Sequence, residues 1–204
     1  MLVGIVDYGL GNVKSVKSAF EYLGHEAILC QEETDFEKVS HIVLPGVGAF
    51  ERGMELINQK KLDYILNTHV LIQGKPTLGI CLGLQLMAQS SYEFGIHSGL
   101  SWFPGEVVEL PQVQGRRELP NIGWESIEIK KDALFEGISN LSDFYFVHSF
   151  HLKLSDNKYC LATYEMGNDK IVAAIKKENI IATQFHPEKS QENGLKLLEN
   201  FLMM

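Results

Sequence analysis

Cysteine is scarce in this chain and forms no framework. Three cysteines with no Cys-x-x-Cys pair make no regular disulfide set, which points to a reducing cytosol and a cytoplasmic protein. No two histidines have the spacing of a metal-binding helix, so zinc and iron sites are excluded, and neither a metal nor a cofactor is expected. Proline is also sparse, six in 204 residues, and with 45% hydrophobic content this argues against disorder. Apolar stretches are too short and too broken by glycine to span a membrane, and the first residues read as a strand rather than a signal peptide. Basic residues are the minority, 18 against 26 acidic ones; a formal net charge of −8 would repel a phosphate backbone, so nucleic acid is not an expected partner. Without a repeat, a low-complexity tract or a linker, residues 1–204 read as one domain with a full core.

What is present is alternation. Leu2 to Val6 reads as a strand, Val13 to about Leu23 as a helix with Asn12 as its cap, and Ala27 to Cys30 as a second strand, the pattern of a parallel sheet with crossover helices. Gly9 and Gly11 lack the third glycine of a dinucleotide fingerprint, because Lys14 stands in its place. From about Glu106 to Ile175 the character changes. Glu106–Leu110, Ser126–Ile129 and Ile171–Ala174 read as strands of a mixed or antiparallel region, and the chain closes with a helix from about Gln191 to Leu202, capped by Ser190.

Three segments carry chemistry. In Gly79-Ile80-Cys81-Leu82-Gly83 a cysteine stands between two glycines where the strand-like Thr77–Ile80 gives way to a helical pattern. That is the layout of a nucleophile elbow: the corner is strained, small neighbours admit surrounding backbone, and the thiol should stand exposed above a helix amino terminus that favours thiolate. In Gln184-Phe185-His186-Pro187-Glu188 a histidine follows the apolar run Ile180–Thr183, and a carboxylate two positions on can orient the imidazole. In Pro45-Gly46-Val47-Gly48, after the apolar His41–Leu44, glycines would let the amide of Val47 or Gly48 point at a neighbouring site, with the Leu82 amide as the second oxyanion donor. Cys81, His186 and Glu188 thus read as nucleophile, base and orienter of an acyl-transfer site. A cysteine in an apolar run is ordinarily inert, and Cys30 and Cys160 are read that way; His25, His41, His69 and His97 are read as surface or structural residues.

These three motifs, in this order, resemble the class I (triad) glutamine amidotransferases along essentially the whole chain. Asp7-Tyr8-Gly9-Leu10-Gly11-Asn12, Asn121-Ile122-Gly123-Trp124 and Phe144-Tyr145-Phe146-Val147-His148-Ser149 are most similar to the glutaminase subunits of imidazole glycerol phosphate synthase. The resemblance implies an α/β, flavodoxin-like sandwich, with a largely parallel central sheet, flanking helices and a smaller antiparallel region. It implies hydrolysis of L-glutamine to glutamate and ammonia through a Cys81 thioester. Glutamine's amino-acid end would be gripped by Gly46, Gln85 and backbone near His148 and Ser149. It also implies a heterodimer with a TIM-barrel cyclase that uses the ammonia to make imidazole glycerol phosphate and an aminoimidazole carboxamide ribonucleotide in histidine biosynthesis. Leu10, Trp124, Tyr145 and Lys189 would lie at that interface, and the glycines of Pro45–Gly48 would let the oxyanion strand switch with partner occupancy.

The subfamily usually reads His-Met-Gly-Trp-Asn where this chain has Asn121-Ile122-Gly123-Trp124-Glu125, an added negative charge near the expected partner face. Two other readings therefore stay open. One is a paralogous glutaminase feeding a nucleotide-sugar or surface-polysaccharide synthase, and the other a stand-alone γ-glutamyl cysteine hydrolase.

Overall fold

The computed structural model of the protein describes residues 1–113 and 119–204. The first half alternates as the apolar pattern requires: β1 (Leu2–Val6), α1 (Val13–Tyr22), β2 (Glu26–Cys30), α2 (Glu33–Lys38), β3 (His41–Gly46), α3 (Phe50–Gln59) and α4 (Leu62–Leu66), the last continuing as a π-helical turn over Asn67–Ile72. Next come β4 (Thr77–Cys81), α5 (Leu82–Leu86), the short β5 (Ser90–Ser91) and β6 (His97–Ser98), and β7 (Gly105–Glu109). The second half holds β8 (Asn121–Ser126), β9 (Glu128–Ile129), β10 (Asp143–His148), β11 (Phe150–Leu154), β12 (Cys160–Met166), β13 (Asp169–Lys177), β14 (Ile180–Thr183) and α6 (Gln191–Leu202).

Eight strands form the central sheet in the order β2-β1-β3-β4-β14-β13-β12-β9. The pairs from β2 through β14 are parallel, and β13, β12 and β9 extend the sheet antiparallel. β3, β4 and β14 are buried along their whole length, because helices cover both faces. One face packs Val16 and Phe20 of α1 and Leu197, Leu198 and Phe201 of α6 on Val3, Ile5, Val43 and Leu78; the other packs Phe36, Phe50, Met54 and Ile57 of α2 and α3 on Val6, Ile42 and Leu44. β7 and β11, with β5 and β6, make the smaller sheet, while β8 and β10 pair as a two-stranded ribbon. No helix among the described residues is long and apolar enough to cross a membrane.

Three local expectations are corrected. Ser126–Ile129 is not one strand: Ser126 ends β8 opposite Asp143, Glu128 and Ile129 join the central sheet on β12, and the fully buried Ile127 is the joint between them. Asn12 places no side-chain cap on α1; its carbonyl accepts from Val16 N–H, and its Oδ1 accepts from the Ser15 hydroxyl at 2.8 Å. Ser190 likewise caps α6 only through its backbone, since its hydroxyl donates to the His186 carbonyl at 2.6 Å and accepts from the Tyr145 N–H at 3.0 Å. In both cases the side chain meets a better partner than the helix amides, and for Ser190 that partner is supplied by tertiary packing.

Two buried histidines make the fold sensitive to acid. His148 donates Nδ1–H to the Phe150 carbonyl (2.8 Å) and receives the Tyr164 hydroxyl at Nε2 (3.1 Å), which selects the neutral ring. Burial holds His148 and His151 at about 4, below the ordinary 6.5, despite opposing help from backbone carbonyls. Between pH 6.5 and 4 the unfolded chain binds protons that the folded chain refuses, so stability is full above 6.5 and falls as the pH drops toward 4, by about 3 kcal/mol for each ring. Urea midpoints at pH 7 and pH 4.5 check this, and His151→Gln should remove about half of the drop.

Candidate active site

The site lies at the carboxyl ends of parallel strands, where open α/β sheets place their ligands. Cys81 ends β4 with φ 54 and ψ −108, a backbone conformation rare for a side-chain-bearing residue and a source of local strain. Its two glycine neighbours are steric requirements. A Cβ on Gly83 would stand 1.8 Å from the Leu44 carbonyl oxygen of β3, and one on Gly79 would stand 2.7 Å from Met87 Cε. The elbow therefore sits against the neighbouring strand with no space for a methyl group.

The thiol is not exposed as the motif suggests. Cys81 is only 5% accessible, its Sγ lying 3.8 Å from the Val147 carbonyl of β10 and 3.7 Å from Gln184 Nε2. β10 crosses over the elbow, a relation between distant segments. The helix that follows is also short, five residues, so what it offers the site is the free N–H groups of its first turn, beginning with Leu82, rather than a long dipole.

His186 and Glu188 are joined as expected. Pro187 opens a 3₁₀ turn over Pro187–Lys189 that brings Glu188 Oε1 to 2.8 Å from His186 Nδ1, and both side chains are 1% exposed. The histidine's backbone N–H donates to the Tyr145 carbonyl at 2.9 Å, which moors the turn to β10. Nε2 is buried without a partner of standard geometry. Burial alone disfavours the charged ring, but interaction with the Cys81 sulfur and with Glu188 outweighs it and pushes His186 up to about 10. Catalytic contacts of this kind tighten when substrate arrives.

Beside the elbow, Gly46 of β3 pairs in register with Cys81. Val47 and Gly48 follow as an exposed loop leading into α3. The pieces of an acyl-transfer site, namely sulfur, imidazole, carboxylate and two stretches of candidate oxyanion amides, are therefore neighbours in space.

The sequence matches the family model described as glutamine amidotransferase class-I over residues 4–204. The chain belongs to the class I glutamine amidotransferases. Among curated members, it is 46% identical to the imidazole glycerol phosphate synthase subunit HisH 1 of Campylobacter jejuni subsp. jejuni serotype O:23/36 (strain 81-176), covering 98% of each chain. It is 41% identical to the imidazole glycerol phosphate synthase subunit HisH of Caldanaerobacter subterraneus subsp. tengcongensis, covering 98% of this chain and 97% of the relative. Among solved structures it shares its fold with one described as glutamine amidotransferase, at a TM-score of 0.73 and 20% identity over 98% of this chain and 97% of that one. It also shares it with the PurLQS structure from Thermotoga maritima, at 0.73 and 18% over 99% and 97%.

In this amidotransferase the residues expected to grip glutamine are partly committed to partners within the fold. The buried Gln85 donates Nε2–H to the Phe150 carbonyl at 2.8 Å and to Gln184 Oε1 at 3.2 Å. His148 is enclosed by its two hydrogen bonds, and the Ser149 carbonyl accepts from Leu110 N–H at 2.9 Å. Of the expected interface residues, Trp124 and Tyr145 face each other across the ribbon with ring centroids 5.8 Å apart, and Lys189 Nζ stands 5.9 Å from the Tyr145 ring centre. Trp124 is 45% exposed, so this cluster presents an aromatic face directly above the strand that moors His186. Leu10 lies apart from it, in the loop after β1, with its neighbour Gly11 close to the Pro45–Gly46 backbone.

Sequence reading missed two residues that position the oxyanion loop. The Tyr8 hydroxyl, fully buried, donates to the Pro45 carbonyl at 2.9 Å; burial raises its pKa, and the neighbouring Cys81 adds to that. Glu93 accepts the Phe50 N–H at 2.6 Å and so caps α3 where it leaves the loop. Neither contact has a local signal, since each joins segments far apart in the chain.

Proposed function

We propose that this amidotransferase is the glutaminase subunit of an imidazole glycerol phosphate synthase, hydrolysing L-glutamine at Cys81 and passing ammonia to a TIM-barrel cyclase partner. The observation that carries the reading is the strained, buried Cys81 meeting the His186–Glu188 pair at the ends of β4 and β14. Whole-length relatives named as subunits of that synthase favour the histidine-pathway partner over a nucleotide-sugar or polysaccharide synthase. Residues 1–204 act in this reading as one domain in the cytoplasm, where amino-acid biosynthesis proceeds.

In the mechanism, Cys81 attacks the side-chain carboxamide carbon of glutamine as His186 takes its proton. The oxygen gathers negative charge opposite the amide of Val47 or Gly48 and that of Leu82. His186 then gives that proton to the departing ammonia while Glu188 holds the ring. Water then attacks the glutamyl thioester with His186 as base, releasing glutamate and restoring the sulfur. Gly46, Gln85, His148 and Ser149 hold the amino-acid end.

The exposed Trp124–Tyr145–Lys189 cluster, with Leu10, forms the partner face, and ammonia leaves on that side. Because Tyr145 carries the carbonyl that moors His186, docking on this face reaches the dyad through a single residue. Purified alone, the chain should hydrolyse glutamine slowly. With its cyclase and acceptor bound, the rate should rise by roughly a hundredfold, the effect of bringing one oxyanion donor into place. Full activity without a partner, or turnover of γ-glutamyl peptides in preference to glutamine, would sink the reading.

A further inference from the structure

Gln184 lies between the last residue of β14 and the His186 turn, and it is completely inaccessible to solvent. Its backbone N–H donates to the Ala173 carbonyl at 2.8 Å, so its position is set by the sheet. The orientation of its carboxamide is set in turn by Gln85. The Gln85 amide nitrogen donates to the Phe150 carbonyl at 2.8 Å, and the atom it meets at 3.2 Å on Gln184 must therefore be the acceptor, Oε1. That leaves the Gln184 NH₂ turned toward Cys81, with Nε2 3.7 Å from Sγ, a hydrogen-bonding separation for sulfur.

Two dipoles, one backbone and one side chain, thus act on the sulfur with opposite electrostatic sense. The Val147 carbonyl, 3.8 Å away, accepts an S–H and repels a negative sulfur, whereas the Gln184 N–H donates and attracts one. The titratable groups coupled to the thiol are His186, from the turn after β14, and Tyr8, from the loop after β1; Glu188 and His148 act in turn on His186. Tyr8 already spends its hydroxyl hydrogen on Pro45, and His148 is committed to Phe150 and Tyr164. Donors to the sulfur on this list therefore reduce to His186 and Gln184.

We propose that Gln184 is a further catalytic residue of this site, its carboxamide N–H holding the Cys81 sulfur as the thiolate and fixing the direction from which it attacks. This rests on Cys81 being the nucleophile. A buried, fully oriented donor needs no rearrangement when charge develops, which is the condition under which such a group is most effective. It also explains a polar side chain at a position enclosed by core: its acceptor is satisfied by Gln85, and its donor by the reacting atom.

The test is the pH profile of iodoacetamide alkylation of the full-length chain, followed on the Cys81 peptide by mass spectrometry. Gln184→Met keeps length and removes the donor. Gln184→Glu keeps the acceptor for Gln85 but sets a carboxylate beside the sulfur. Both should shift the profile to higher pH, Glu further than Met. At pH 6.5 the Met variant should react roughly ten- to a hundredfold more slowly, the effect of losing one hydrogen bond to a charged group, with the high-pH limit unchanged. A profile identical to the parent in both variants overturns the proposal, and so does an equal fall at every pH, which signals altered access alone. Glutamine turnover that survives Cys81→Ala would instead remove Cys81 as the nucleophile, and with it the catalytic role of Gln184, while the alkylation result would stand as a property of the thiol alone.

Discussion

Cys81→Ala should abolish glutamine-dependent synthesis by the complex while synthesis driven by added ammonium salt continues. The sulfur forms the only covalent bond to substrate in the mechanism, and removing a nucleophile of this kind costs about four powers of ten or more in turnover. The fold should survive, since alanine fits where a 5% exposed cysteine stood and meets the same strain at φ 54. The ammonium arm separates chemistry from architecture. It bypasses the glutaminase step, so loss of both activities would mean that Cys81 supports the structure instead. Retention of the glutamine-driven rate would exclude it as nucleophile.

Gly83→Ala is expected to be nearly as damaging by a different route. The added methyl group would lie 1.8 Å from the Leu44 carbonyl oxygen, and that oxygen is backbone of the central, fully buried β3. No rotamer change relieves the clash; β3 and the elbow must separate. Overpacking against yielding side chains costs about 1–3 kcal/mol, and against a strand in mid-sheet the loss should reach at least the upper end. The same displacement moves Gly46 and the Val47–Gly48 loop relative to Leu82, and a shift of about 1 Å can lower turnover a hundredfold even in molecules that remain folded. A urea midpoint together with the turnover number of the folded fraction measures both effects. A variant as stable and as active as the parent would contradict the close packing described for the elbow.

Much of this was readable from local pattern. Alternating apolar segments of strand and helix length specify parallel strands with crossovers, and β1, β3, β4 and β14 fall close to where the pattern places them. The glycines around Cys81 and the His-Pro-Glu turn are legible because their requirements are local: a close backbone approach on either side of a corner, and a carboxylate two residues from an imidazole. Apart from Asn12, whose Oδ1 is taken by Ser15 three residues on, the misreadings share one cause. The thiol's burial, the diversion of the Ser190 hydroxyl to His186 and Tyr145, and the division of Ser126–Ile129 between two sheets each depend on a segment distant in the chain. Gln184 was passed over for the same reason, as its partners lie about a hundred positions upstream.

The sequence by itself determined which chemistry was possible: a cysteine at a glycine-flanked corner, a histidine with its carboxylate, and the order in which strands deliver them. The tertiary structure decided how that chemistry is poised. Contacts of Val147 on β10 and of Gln184 close in on the sulfur, and the neighbouring Cys81 and Glu188, against the effect of burial, raise the pKa of His186. The reason is that hydrogen-bond requirements and steric corners are properties of neighbouring residues. Desolvation and electrostatic coupling belong to whatever the fold brings alongside, and they have no signature in a short stretch of chain.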